Sequence, residues 1–199
     1  MRAVRGQNQP VRRNLWKGFA AGLIGGLVGS WTMNRFQDLW IKMSTVSGTW
    51  SDNQFQNVWG ELAEGVEERA DTHESTSDAE VPDDTTVRAA SAVSEGLFNH
   101  KLTPGEKKVA GPAVHYTLGT GVGGLYGAAA ELAPDVTAGL GLPFGAAFWL
   151  VVDEGAVPLL GLSKGPTAYP VSTHVYALSS HFVYGATAEL VRRAVRRAL

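Results

Sequence analysis

The chain has 199 residues, a formal charge of −2, 44% apolar residues and no cysteine, so one domain is expected and disulfides, thiolate metal sites and cysteine nucleophiles are excluded. The averages hide a segregated chain. Five basic and no acidic residues fall in the first 17, thirteen acidic against three basic (Arg69, Arg88, Lys101) fall in 51–106, and four arginines fall in the last eight, while the remainder is nearly uncharged.

The first apolar segment, Trp16 to Met33, follows the basic start and ends in Asn-Arg without a small-residue cleavage site. It therefore reads as a retained first helix, not a cleaved signal peptide. Gly22, Gly25, Gly26 and Gly29 have the small-residue spacing that lets helices approach closely in lipid. A polar stretch follows from Met43 to Lys108. It holds aromatic punctuation (Trp50, Phe55, Trp59), a helical pattern in VWGELAEGVEERA and an acidic Ser/Thr tract of disorder-like composition. Asp84 is placed to cap an amphipathic helix, TTVRAASAVSEGLF. HKLTPGEKK reads as a turn or loop. Three more apolar segments follow: Val109 to Ala130, Val136 to about Leu162 interrupted by Asp153 and Glu154, and Ala168 to Val191 ending at the arginines.

These patterns predict an all-α membrane protein with four transmembrane helices. Residues 1–42 hold the basic N-terminus and the first span, 43–108 an acidic extramembrane segment with short helices, and 109–199 spans two to four with a basic tail. A soluble helical bundle is the competing reading. Basic residues at both ends place both termini in the cytoplasm of a bacterial inner membrane and the acidic segment outside, although Lys107 and Lys108 sit awkwardly there. LYGAAAEL at 125–132 is echoed by VYGATAEL at 183–190. Two tandem helical hairpins explain the echo, and so does convergence on Gly/Ala packing.

Ionisable groups within spans are expensive and face the bundle interior. Counting depth at about 1.5 Å per residue puts Arg35, Asp38, His115, Asp153, Glu154 and His174 at similar height near the outer face, with His181 roughly 10 Å deeper. One reading is structural, with Arg35 pairing Asp153 or Glu154 and the histidines bonding to them. A second is a proton or ion path. A third is a metal or haem site, weakened because His174 and His181 are seven residues apart, so no metal ligands and no cofactor are assigned. Glu131 and Glu189 end their helices beside Arg192 and Arg193 and are expected to pair there. Tyr126, Tyr184, Trp16 and Trp40 read as interface anchors. Gly119, Gly121 and Gly124 spell G-x-G-x-x-G, but inside an apolar helix-length segment and without the preceding strand that a nucleotide loop needs. No catalytic constellation is found.

GLPFGAAFWLVVDEGAVPLLGL, a loop with Pro166 and Pro170, and STHVYALSSHFVYGATAELVRR together resemble the YagU-like family of bacterial inner-membrane proteins. His181, Glu189, Arg192 and Arg193 fit that family's last helix. The resemblance implies a multispan inner-membrane protein linked to stress or acid tolerance, and supplies no mechanism. The function expected is a non-enzymatic structural or accessory subunit. Its partners would be membrane lipids, other membrane-protein subunits or a second copy, and not nucleic acid. A small transporter or proton conductor built on the polar cluster, and a metal- or haem-binding membrane protein, are the alternatives.

Overall fold

The structure is a computed structural model that describes residues 14–46, 83 and 85–199. The expectations for Trp50, Phe55, Trp59, the acidic tract, Asp84 and the basic residues before Asn14 lie outside the described residues. Every element among the described residues is helical: α1 (Leu15–Val46), α2 (Thr85–Phe98), α3 (Pro104–Leu132), α4 (Leu142–Val151) and α5 (Val171–Ala198). A π-turn (Val152–Ala156) and a last turn (Val157–Leu159) extend α4.

Local chemistry sets these ends. The Asn14 side chain accepts the Lys17 amide at 3.1 Å and opens α1. α3 begins at Pro104, not Val109, so Lys107 and Lys108 belong to its first turns and not to a loop. The cause is a capping box. Thr103 Oγ1 accepts the Glu106 amide at 3.4 Å, and Glu106 accepts the Thr103 amide at 2.8 Å. The helix of the third apolar segment also starts later than expected. Residues Pro134–Gly141 form a turn in which Ala138 is extended and Gly139, Leu140 and Gly141 have positive φ, so regular helix begins at Leu142. α5 runs on through the arginines to Ala198.

α1 is the central helix, with α3 on one side and α5 on the other. α4 packs on α5, and α2 leans on the start of α3. Glycine faces make these contacts. Gly18, Gly22 and Gly26 of α1 meet Gly127, Gly123 and Gly119 of α3, and a methyl added to Gly123 would lie 2.6 Å from the Gly26 Cα. Gly25 and Gly29 meet Ala188 and Tyr184 of α5. The α4–α5 contact repeats the α1–α3 contact. Gly141 lies against Gly185 and Glu189 as Gly18 lies against Gly127 and Glu131, and Gly145 lies against His181 and Gly185 as Gly22 lies against Gly123 and Gly127. The echoed LYGAAAEL and VYGATAEL segments thus occupy matching places, with His181 where the first hairpin has Gly123.

The interior has an unusual composition. Among the described residues, every buried position is Gly, Ala, Ser, Met, Tyr, His, Glu or Arg, and none is Leu, Ile, Val, Phe or Trp. The large apolar side chains point outward, including Trp16, Ile24, Leu27, Trp31 and Leu39 of α1, Leu118 and Leu125 of α3, and Leu150 and Val151 of α4. Tyr126 and Tyr184 are not interface anchors. Both are buried, Tyr126 stacking on Phe144 at 3.9 Å and Tyr184 donating to the Gly119 carbonyl at 2.6 Å. One stretch of the described residues, Pro134–Leu159, is long and apolar enough to cross a membrane by length and composition, and little of it is buried.

Candidate functional site

The polar residues singled out from sequence divide into separate groups. The most chemically suggestive lies where α4 loses its regular hydrogen bonding. Pro158 has no amide proton to donate back along the helix, and the ladder widens by one residue, the Val157 amide reaching the Val152 carbonyl. The widened turn carries Asp153 and Glu154. Glu154 Oε1 lies 2.6 Å from His174 Nδ1, and the other nitrogen of that ring, Nε2, lies 3.0 Å from the Pro166 carbonyl. Asp153 Oδ2 lies 3.6 Å from His181 Nε2, whose Nδ1 faces the Ala177 carbonyl at 2.9 Å. His181 is buried, and Phe148 stands edge-on to it at 5.3 Å. Trp149 stands edge-on to His174 at 6.4 Å.

Arg35, Asp38 and His115 do not join these pairs. Arg35 is bound by Asp38 of its own helix at 3.3 Å and is 64% exposed, so the expected Arg35 partnership with Asp153 or Glu154 is not formed. His115 sits on α3 with its ring edge-on to Tyr116 at 5.5 Å. The two histidine–carboxylate pairs are separate contacts, and among the described residues no three metal-ligating side chains converge.

A second polar group closes the opposite end of the bundle. Glu189 is fully buried and accepts from Arg192 Nε at 2.7 Å and Nη2 at 2.9 Å, and also from Arg193. Arg193 also donates to the Thr137 carbonyl at 3.2 Å, tying in the turn before α4. Glu131 accepts from Arg196 Nε at 2.6 Å and from the Asn14 amide at 2.9 Å. The Arg196 guanidinium, ahead of the Asn14 contact, holds the Glu131 carboxyl below its ordinary range. The arrangement joins the ends of α1, α3 and α5 into one ionic layer.

Arg196, Asn14 and the π-turn were not singled out from sequence. Arg196 was visible only as one of four terminal arginines. The π-turn had a local sign in Asp-Glu-Gly-Ala-Val-Pro, an acidic pair followed by Gly155 and Pro158 inside an apolar run. The Gly119, Gly121 and Gly124 triplet lies mid-helix. Gly119 faces Ser30 and Gly124 faces Leu23 and Phe19, so two of the three are packing positions.

A family model described as "Protein of unknown function (DUF1440)" matches residues 91–190, just over half of the chain. No curated protein and no solved structure matches it.

Proposed function

The chain belongs to the DUF1440 family of proteins of unknown function, and on that premise we propose that it is a four-pass protein of a bacterial inner membrane serving as a non-catalytic structural or accessory subunit. The carrying observation is the inverted distribution of side chains. A water-soluble core is built from Leu, Ile, Val and Phe. Here, among the described residues, none of those four types is buried and many of the Leu, Ile and Val side chains face outward, while glycine, alanine, tyrosine and ion pairs fill the interior. That arrangement suits a lipid solvent, where close packing of small residues drives helix association and ionisable groups turn inward.

The four passes in this reading lie within α1, the apolar stretch 109–130 of α3, α4 with its extension to Leu159, and α5, so Glu106 and Glu131 sit outside the second pass. Gly and polar residues lower the mean hydropathy of α1, α3 and α5, but many of them lie on the inward faces. Three of the hydroxyls are satisfied by their own helices. Thr32 donates to the Gly29 carbonyl at 2.9 Å, Ser179 to Val175 at 2.7 Å and Ser180 to Tyr176 at 2.9 Å. The arginine-bearing end faces the cytoplasm by the positive-inside rule. The matched span contains most of the residues that carry the YagU-like likeness, and membership of that multispan group is part of the proposal.

The accessory role draws on the outward stripe of Ile24, Leu27 and Trp31, beside a shallow apolar groove lined by Leu27, Val28, Trp31 and Tyr116. Such a face offers itself to acyl chains or to another helix. Alkaline washing of membranes from cells making the full chain tests the membrane reading: the protein stays in the pellet, and release into the wash would overturn it. Mild-detergent purification tests the accessory role. Co-migration with a larger membrane complex is expected, and a monodisperse lone chain would overturn that part.

A further inference from the structure

We infer that the π-turn of α4 and the facing stretch of α5 form a two-station proton-binding site, Glu154–His174 and Asp153–His181. The inference stands on the geometry of these four residues and does not depend on the accessory-subunit reading.

The argument begins with the carbonyls. A carbonyl oxygen only accepts, so His174 Nε2, 3.0 Å from the Pro166 carbonyl, carries a proton and donates it. The same reasoning puts a proton on His181 Nδ1, 2.9 Å from the Ala177 carbonyl. Each ring therefore has one nitrogen committed to the backbone and the other turned to a carboxylate.

At Glu154–His174 the consequence is sharp. Were His174 neutral and Glu154 ionised, two lone pairs would face each other across 2.6 Å. The contact needs one more proton between them. Taken up from water, that proton converts a pair of charge −1 into a neutral pair. It resides on the carboxyl or on Nδ1, and its transfer from Oε1 to Nδ1 turns carboxylic acid and imidazole into carboxylate and imidazolium without changing the total. The pair therefore binds a single proton as a unit. Asp153–His181 has the same connectivity at 3.6 Å, too long for a hydrogen bond, so it is the open station and Glu154–His174 the closed one.

Adjacency links the stations. Their carboxylates are consecutive in the chain, and their histidines are seven residues apart on α5, roughly 10 Å along its axis. A proton at one carboxylate removes a negative charge beside the other. The neighbouring elements carry other titratable groups. Tyr169 in the connecting loop accepts the Lys164 amide at 3.2 Å, and on α1 Arg35 and Asp38 are closed on each other. Phe148 and Trp149 wall the histidines on the α4 side.

The test is ring-nitrogen NMR of the full chain, with labelled histidines, in lipid nanodiscs at a single neutral pH. In the wild type both His174 nitrogens couple to a proton, the one at Nδ1 far downfield as expected of a proton shared with Glu154. Glu154→Gln loses the Nδ1 proton and keeps the one at Nε2, while Asp153→Asn leaves both His174 signals in place. A bare Nδ1 on His174 in the wild type overturns the proposal, and so does an Nδ1 proton unchanged by Glu154→Gln. Should that variant not fold, the wild type decides alone.

Discussion

Glu131 near the end of α3 receives Arg196 of α5 in a two-point ion pair, with Nε at 2.6 Å and Nη2 at 3.1 Å. Both side chains are largely shielded, at 8% and 16% exposure, so removing one partner strands the other. Glu131→Ala is expected to cost about 3 kcal/mol, the scale for breaking a buried pair from one side. The pH dependence follows from the depressed carboxyl. Its contribution is complete above the ordinary glutamate value of 4.5 and is lost as pH falls through the lower folded value. Thermal unfolding in detergent from pH 7 downward checks both points: the wild type loses stability on acidification below 4.5, and Glu131→Gln flattens that part of the curve.

Gly123 and Gly26 set the approach of α3 to α1. A side chain at Gly123 meets the Gly26 backbone at 2.6 Å, and no rotamer relieves a clash with backbone. Gly123→Leu is expected to push the helices apart and destabilise the bundle by about 1–3 kcal/mol or more. Gly121, two residues away on the same helix, has nothing within 4 Å of an added methyl. Gly121→Ala there removes a flexible residue from a helix interior and is expected to raise stability by up to about 1 kcal/mol. Opposite signs from two neighbouring glycines, read by chemical unfolding in detergent, distinguish packing from mere glycine content.

The capping box at the start of α3 gives an acid-resistant helix end. The Thr103 amide, then its hydroxyl, and then His100 lower the Glu106 carboxyl to about 2. Its folded value lies below 4.5, so its contribution is present above 4.5 and disappears only as pH approaches 2. Thr103→Ala is expected to cost about 1 kcal/mol at that helix end. Amide exchange of Lys107, which donates to the Thr103 carbonyl at 3.0 Å, reports the fraying and should quicken in the variant at every pH above 4.5.

Periodic features were legible in the sequence and azimuthal ones were not. The glycines of α1 repeat every three or four residues, and the structure places them on the faces meeting α3 and α5. The LYGAAAEL and VYGATAEL echo shows up as two equivalent helix contacts. The side of a helix that a residue faces did not follow from counting residues: Arg35 turned to Asp38 while Tyr126 and Tyr184 turned inward. The Thr-Pro-Gly-Glu sequence opening α3 is a helix-start signal that was obscured by the turn character of Pro and Gly and by the two lysines after it. The π-turn is a property of the hydrogen-bond ladder, and only its Gly155 and Pro158 leave a mark in the sequence.

The absence of cysteine from the sequence makes sidedness directly testable. Gly96 on α2 is exposed with open space around it, and Ala198 is exposed at the end of α5. Asn14, Glu131 and the arginines of α5 share one end of the bundle, so α1 and α5 begin at opposite ends and the chain end lies beside Lys17. Four passes then put Gly96 and Ala198 on opposite sides of the membrane. With single cysteines introduced as Gly96→Cys and Ala198→Cys, an impermeant maleimide added to spheroplasts should label the first. It should label the second only after the membrane is opened. Equal labelling of both in intact spheroplasts would put them on the same face and remove an odd number of passes between them. The wild-type chain serves as the unlabelled control, because it carries no thiol of its own.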